Sequence, residues 1–164
     1  MTHFEIAGRD GALLELIRQA VQAVNAEEGS LLLLDMEGSK LRFVACDSPV
    51  ADKLVGTEFA LTSGISGYTV LTQQPQNIRE VEKDPRFYQD VDRKVGSQTR
   101  SMMAVPLSTP EQTFGVMTAL NSKTGQGFSR EEFRRFQELT VPVCARLTQL
   151  NLGMEQVGDS EPEA

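Results

Sequence analysis

Apolar side chains recur at helical spacing near the start of the chain: Leu13, Leu14, Ile17, Val21 and Val24, with Leu16, Ala20 and Ala23 as a second, milder stripe. Asp10 is a good N-cap, so the pattern predicts a helix over 10–25 that touches neighbours on two sides. Gly29 then reads as a break. The run at 30–35, SLLLLD, is short, apolar and bounded, as expected of a strand covered on both faces. A turn signal at 37–39 and a second run at 40–46 predict its hairpin partner.

The middle is less regular. Gly56, Gly64 and Gly67 punctuate it, a short helix is predicted over 65–73, and 76–78 reads as extended after Pro75. Asp84-Pro85 predicts a further helix with proline at its first position, carrying Phe87, Tyr88 and Val91. Two strands follow, 101–107 and 113–121, joined by a turn around Pro110. In the second, Phe114, Val116, Thr118 and Leu120 alternate with Gly115, Met117, Ala119 and Asn121, so both faces are apolar or small and the strand is expected to be central.

The last helix has the clearest local signature. Ser129 and Glu132 make a capping box, with Phe128 and Phe133 placed as a hydrophobic staple. Phe133, Phe136, Thr140, Val143, Leu147, Leu150 and Met154 are spaced alternately by three and four residues, an a/d seam widened by Leu139 and Cys144. Pro142 removes one backbone donor inside that helix and predicts a kink. The organisation expected is an N-terminal arm over 1–9, one domain over 10–152 and an acidic, disordered tail over 153–164. Short connections between consecutive strands predict an α+β fold, with an antiparallel sheet, helices on one face, and the long middle segment over the other. A sheet face covered by loops and short helices is a natural place for a pocket.

Composition narrows the function. The 164 residues are 40% hydrophobic and 24% charged, ordinary for one globular domain. Sixteen basic and 23 acidic side chains give a net charge of −7. The nearest thing to a basic stripe, Arg130, Arg134 and Arg135, is interleaved with Glu131 and Glu132, so nucleic acid is not expected as a partner. No apolar run approaches the roughly 20 residues that span a bilayer, and the N-terminus lacks a secretory pattern. No membrane partner and a cytoplasmic location are therefore expected. Cys46 and Cys144, far apart in sequence, suit free thiols in a reducing compartment.

The candidate chemistry is sparse. His3 is the only histidine, which leaves no credible Ser–His–Asp or Cys–His arrangement and no metal site. Gly64 and Gly67 lack the Lys-Ser/Thr that completes a phosphate loop. Glu27-Glu28 falls in a loop, and Glu131-Glu132 has a capping role. No catalytic residue is assigned, and the chain is read as non-enzymatic.

Six stretches taken in order resemble the GAF domain, a small-molecule sensor module of phosphodiesterases, phytochromes and bacterial regulators. They are SLLLLD (30–35), GISGYTVLT (64–72), DPRFYQDVD (84–92), TRSMMAVPL (99–107), FGVMTALN (114–121) and FSREEF (128–133). The middle and later stretches are most similar to cyclic-nucleotide phosphodiesterase GAF domains. The resemblance implies a GAF-like α+β fold of about six antiparallel strands. The first and last helices would pack on one face, and a ligand would sit on the other.

It also implies ligand-binding positions. Ser30 opens the first strand as a polar contact; Cys46 stands where a stacking aromatic is expected, beside Asp47. Ile65 and Ser66 line the start of the short helix. Tyr88, Asp92 and Val95 fall on a lid helix, and Thr118 replaces a base-reading acid. Each has a plainer reading too: Phe87 and Tyr88 as helix core, Asp92 as a surface carboxylate, Asp47 as a turn cap, Cys46 as a buried inert thiol. The nucleotide-binding signature is degraded. Asn121 and Phe128 remain, Ser122 stands at the Lys position, and Lys123 with Glu132 is placed to restore the family's Lys–acid tie. Loss of the aromatic and the acid argues against a cyclic nucleotide, so the cofactor is left as an unknown small molecule. Two distant cysteines do not supply the thiol exchange of the sulfoxide-reducing branch, and the middle segment has no bilin-attaching cysteine.

The function expected is a small-molecule-sensing signalling domain that forms a homodimer through its terminal helices. The alternative is a ligand-free interaction module acting on a separate kinase or regulator, in keeping with the lack of a predicted output domain after Leu150.

Overall fold

The computed structural model describes residues 1–87, 96 and 98–155. The chain opens with a helix, α1 (His3–Arg9), which the sequence pattern missed. Thr2 and Glu5 form a capping box there, and Phe4, Ile6 and Ala7 pack into the main core, so 3–9 is not a free arm. Asp10 alone separates α1 from α2 (Gly11–Ala23), which it caps through the N–H of Leu13.

Strand β1 (Ala26–Leu34) begins earlier than expected, because Gly29 does not interrupt it. A Cβ at Gly29 would lie 2.5 Å from a Val21 methyl and 2.9 Å from the Thr118 carbonyl. The glycine is there for close approach of α2 to the strand, not as a break. Next come β2 (Lys40–Asp47), α3 (Ala51–Leu54), β3 (Glu58–Ala60), α4 (Gly64–Thr72) and β4 (Gln76–Ile78). A short 3-10 turn, Val81–Lys83, precedes Asp84-Pro85. The body of the helix predicted after Pro85, with Tyr88, Val91, Asp92 and Val95, lies outside the described residues. The chain continues with β5 (Met102–Ser108), β6 (Gln112–Ser122), α5 (Arg130–Gln149) and β7 (Met154–Glu155). Residues 156–164, most of the predicted acidic tail, also lie outside them.

The strands form one antiparallel sheet in the order β3-β2-β1-β6-β5-β4, with β7 added to the free start of β6. The α+β architecture read from the sequence is the one observed, and β6 is central as its two apolar faces require. On one face, Leu31, Leu33, Met103, Val105, Met117 and Ala119 meet Leu13 and Ile17 of α2 and Phe136, Val143 and Leu147 of α5. Each of the Leu, Ile, Val, Met and Phe side chains among them contributes about 1.5–3 kcal/mol when fully buried. On the other face, Leu32, Leu34, Met102 and Val116 meet Ile65 and Val70 of α4.

α5 has the predicted Ser129–Glu132 capping box and runs unbroken through Pro142. Its a/d seam has a different destination from the one expected. Phe136, Thr140, Val143 and Leu147 are buried against this chain's own sheet and α2, with Phe133 and Leu150 half-buried beside them, and Met154 has left the helix for β7. A 3-4 spacing marks an apolar stripe without saying what meets it. The outward side carries Arg134, Glu138 and Val141, the last 66% exposed.

Candidate functional site

Strand register sets five side chains in one transverse row: Cys46 on β2, Ser30 on β1, Thr118 on β6, Ala104 on β5 and Gln76 on β4. Alternation puts the row on the face away from α2 and α5, the face of Leu32 and Val116. Bulkier rows flank it, Phe43–Leu32–Val116–Pro106 on one side and Glu28–Leu120–Met102–Ile78 on the other. The small side chains Cys46, Ser30, Thr118 and Ala104 thus stand between larger ones across four strands. α4 covers β5 and β6 on this face and turns Ile65 and Ser66 inward, while α3 closes the β2 end.

The row is polar without being charged. Ser30 is 2% exposed and Thr118 4%, so both hydroxyl side chains are buried. Ser66, on α4, is buried as well. Cys46 packs with Leu54 and Phe43 under α3. Burial pushes its thiol up to about 11, against the opposing hydrogen bond from Ser30 and with the help of the Glu28 carboxylate. Burial therefore favours the protonated form of the Cys46 thiol.

Of the predicted positions, the structure gathers Ser30, Cys46 and Thr118 in the row, with Ile65 and Ser66 on the helix above it. Asp47 is not among them. It pairs with Gly29, whose missing Cβ would point at Val21 and Ile17 of α2, so alternation turns Asp47 to the opposite face. Tyr88, Asp92 and Val95 lie outside the described residues. The predicted Lys123–Glu132 tie is absent among the described residues: Glu132 reaches back to the Ser129 N–H at 2.9 Å instead.

Two groupings escaped the sequence reading. Asn121, in the left-handed region at φ 61°, accepts from the N–H groups of Arg100 (2.6 Å) and Ser101 (3.2 Å) and donates to the Gln98 carbonyl (3.1 Å). Its amide thus does the work of a neighbouring strand for residues 98–101. The second is a cleft of about 320 Å³ on the outer side of α4, lined by Thr62, Ser63, Tyr68, Leu71, Arg86 and Phe87 among others. There Arg86 is held by both oxygens of Asp84, donates to Gln76 and lies 4.4 Å over the Tyr68 ring. A good donor set after Asp84-Pro85 is visible in the sequence; its meeting with Tyr68 is not.

The antiparallel sheet carries its terminal helices on one face and α4 on the other. The sequence profile of the GAF domain family matches residues 9–146. The chain belongs to the GAF domain family. GAF domains are generally small-molecule-sensing or regulatory signalling modules. This one is 27% identical over 146 residues to a probable 3',5'-cyclic phosphodiesterase, pde-5, of Caenorhabditis elegans, covering 84% of this chain and 20% of that protein. It is 33% identical over 104 residues to the cone cGMP-specific 3',5'-cyclic phosphodiesterase subunit alpha' of Gallus gallus, covering 61% of this chain and 12% of that protein. The chain thus spans a fifth or less of the length of these relatives. Among solved structures, the type II free methionine-R-sulfoxide reductase of Thermoplasma acidophilum superposes with a TM-score of 0.71 at 17% identity, covering 94% of this chain and 100% of that one. At that identity the likeness is one of GAF fold. No helix among the described residues is long and apolar enough to cross a membrane.

Proposed function

We propose that this GAF domain is a regulatory sensor that holds a small molecule over the Ser30–Thr118 row and acts in the cytoplasm as a homodimer. One observation carries the reading. Ser30, Cys46 and Thr118 share one level of the sheet, and α4, which carries Ile65 and Ser66, covers the face opposite the terminal helices. Ser30, Cys46 and Thr118 are assigned to the floor of the site and Ile65 and Ser66 to its wall; Tyr88, Asp92 and Val95 complete the set on the resemblance alone. A ligand there biases the sheet, and the sheet carries that bias to α2 and α5, limited by the ligand's preference for one arrangement over the other. A regulatory rather than catalytic role fits Cys46 and Cys144, both held protonated by burial.

With the a/d seam turned inward, pairing of two copies falls to the outer sides of α2 and α5, where Val141 is exposed and Leu14, Leu16, Leu139 and Leu150 are half-covered. Native mass spectrometry of freshly purified protein tests the sensor reading: a retained small molecule is expected, and a bare chain mass would count against it. Analytical ultracentrifugation tests the dimer, which fails if a monomer alone sediments at micromolar concentration. A second reading, an interaction module acting on a separate signalling protein, is favoured by Leu71 (59% exposed) and Tyr68 beside the outer cleft.

A further inference from the structure

Gln76 and Asn77 are neighbours in β4, and alternation sends them to opposite faces of the sheet. Gln76, opposite Ala104, stands at the end of the Ser30–Thr118 row on the α4 face; Asn77, opposite Met103, points to the face of α2 and α5. On the first side, Gln76 Oε1 accepts from Arg86 Nη1 at 3.1 Å, and Arg86 is held by Asp84 and lies 4.4 Å over the Tyr68 ring of α4. On the second, the Asn77 amide donates to the Phe128 carbonyl at 3.2 Å. Asn77 Oδ1 is buried with no partner among the described residues, so the Phe128 carbonyl is the contact that orients this amide. Phe128 immediately precedes Ser129, the N-cap of α5, and its ring is buried in the main core. Arg79 adds a second tie, donating to the Gln126 carbonyl at 2.7 Å, and a Cβ at Gly127 would come within 2.8 Å of its Cγ.

β4 is three residues long and lies at a border of the sheet, paired with β5, so it has few ladder bonds to lose on moving. Only Gln73, Gln74 and Pro75 separate it from α4. Helix α4 is therefore tied to β4 twice, through the chain and through Arg86, and β4 is tied to the start of α5. We infer that β4 is a relay: a ligand that resettles α4 or Gln76 moves this border strand, and Asn77 passes the movement to the start of α5. This rests on the sensor reading above and names how that site is read out. Lying between two ends does not establish such a link; coupling between them does.

The test needs no ligand. On the full chain, Arg86→Met cuts the hold on Gln76, and hydrogen exchange by NMR is followed at Glu132 and Phe133 in the first turn of α5. Leu31 and Leu33 of β1 serve as the measure of overall stability. Exchange at the start of α5 should rise about three- to tenfold beyond any change in β1, the value of one hydrogen bond. In an Asn77→Ala background that excess should disappear. If Arg86→Met does not fold, Gln76→Leu cuts the same contact and takes its place. No excess at α5, or one that survives Asn77→Ala undiminished, overturns the relay. A bare chain mass in native mass spectrometry would count against the sensor site instead and leave this result standing.

Discussion

Arg146, near the end of the last helix, grips both carboxylate oxygens of Asp10, the residue that ends α1 and caps α2, at 3.0 and 2.6 Å. One carboxylate thus fixes three helices at a single point. The Arg146 hydrogen bonds, then the Leu13 N–H, hold the Asp10 carboxyl below its ordinary 3.8 against the cost of burial.

A depressed acid contributes stability that is complete above its unfolded value and is lost as pH falls through the lower folded value. Asp10→Asn keeps the cap and loses the ion pair, so the gap between it and the parent should be open at neutral pH and close below 3.8. Asp10→Ala also loses the cap and should cost about 1–2 kcal/mol at pH 7. Urea unfolding at several pH values measures both. A gap that widens in acid would contradict the assignment.

Two glycines should differ sharply. A Cβ at Gly115 would sit 1.9 Å from the Leu32 carbonyl oxygen, whereas one at Gly11 meets nothing within 4 Å. Gly115→Ala should cost about 3 kcal/mol or prevent folding, because β1 must move away. Gly11→Ala, in the first turn of α2, should be neutral or stabilise by up to about 1 kcal/mol. Thermal melts of the two variants decide this.

Asn121→Gly preserves the left-handed backbone and removes the side-chain bridge. The amides of Arg100 and Ser101 should then exchange faster, with about 1–3 kcal/mol lost locally. Hydrogen exchange read by mass spectrometry over 98–101 reports it, and unchanged protection would mean that the bridge does nothing.

For the Arg86–Tyr68 contact, a double-mutant cycle with Arg86→Lys and Tyr68→Leu should return a coupling of about 0.5–1 kcal/mol, as for a half-exposed cation–π pair. Additive effects in denaturant melts would remove the contact from the account.

α5 offers a test of which way its stripe faces. Val143→Glu places a charge in the core and should unfold the chain, while Val141→Glu, on the opposite side, should change stability by no more than about 0.5 kcal/mol. If two copies pair on that outer side, Val141→Glu should also lower the sedimentation coefficient.

These variants also mark what could be read in advance. The Ser129–Glu132 box, the hairpins and the centrality of β6 were legible because caps and side-chain alternation are local properties. The destination of the α5 stripe was not, since the same spacing serves a second copy or the chain's own sheet. Gly29 misled because a glycine needed for helix approach and one that ends an element look alike in sequence. The side on which Asp47 falls depends on pairing with Gly29, a relation between strands. Ser30, Cys46 and Thr118 were named from resemblance, and only register showed that they share a level.

Both margins of the sheet are three residues long, Glu58–Ala60 at one side and Gln76–Ile78 at the other, and the second is pinned by Asn77 to the Phe128 carbonyl while Arg79 holds Gln126. Such truncated borders give a foreign chain little to zip onto, so runaway fibrous growth has no long template there. A partner that adds a strand to this sheet would find only three residues to pair with at either border.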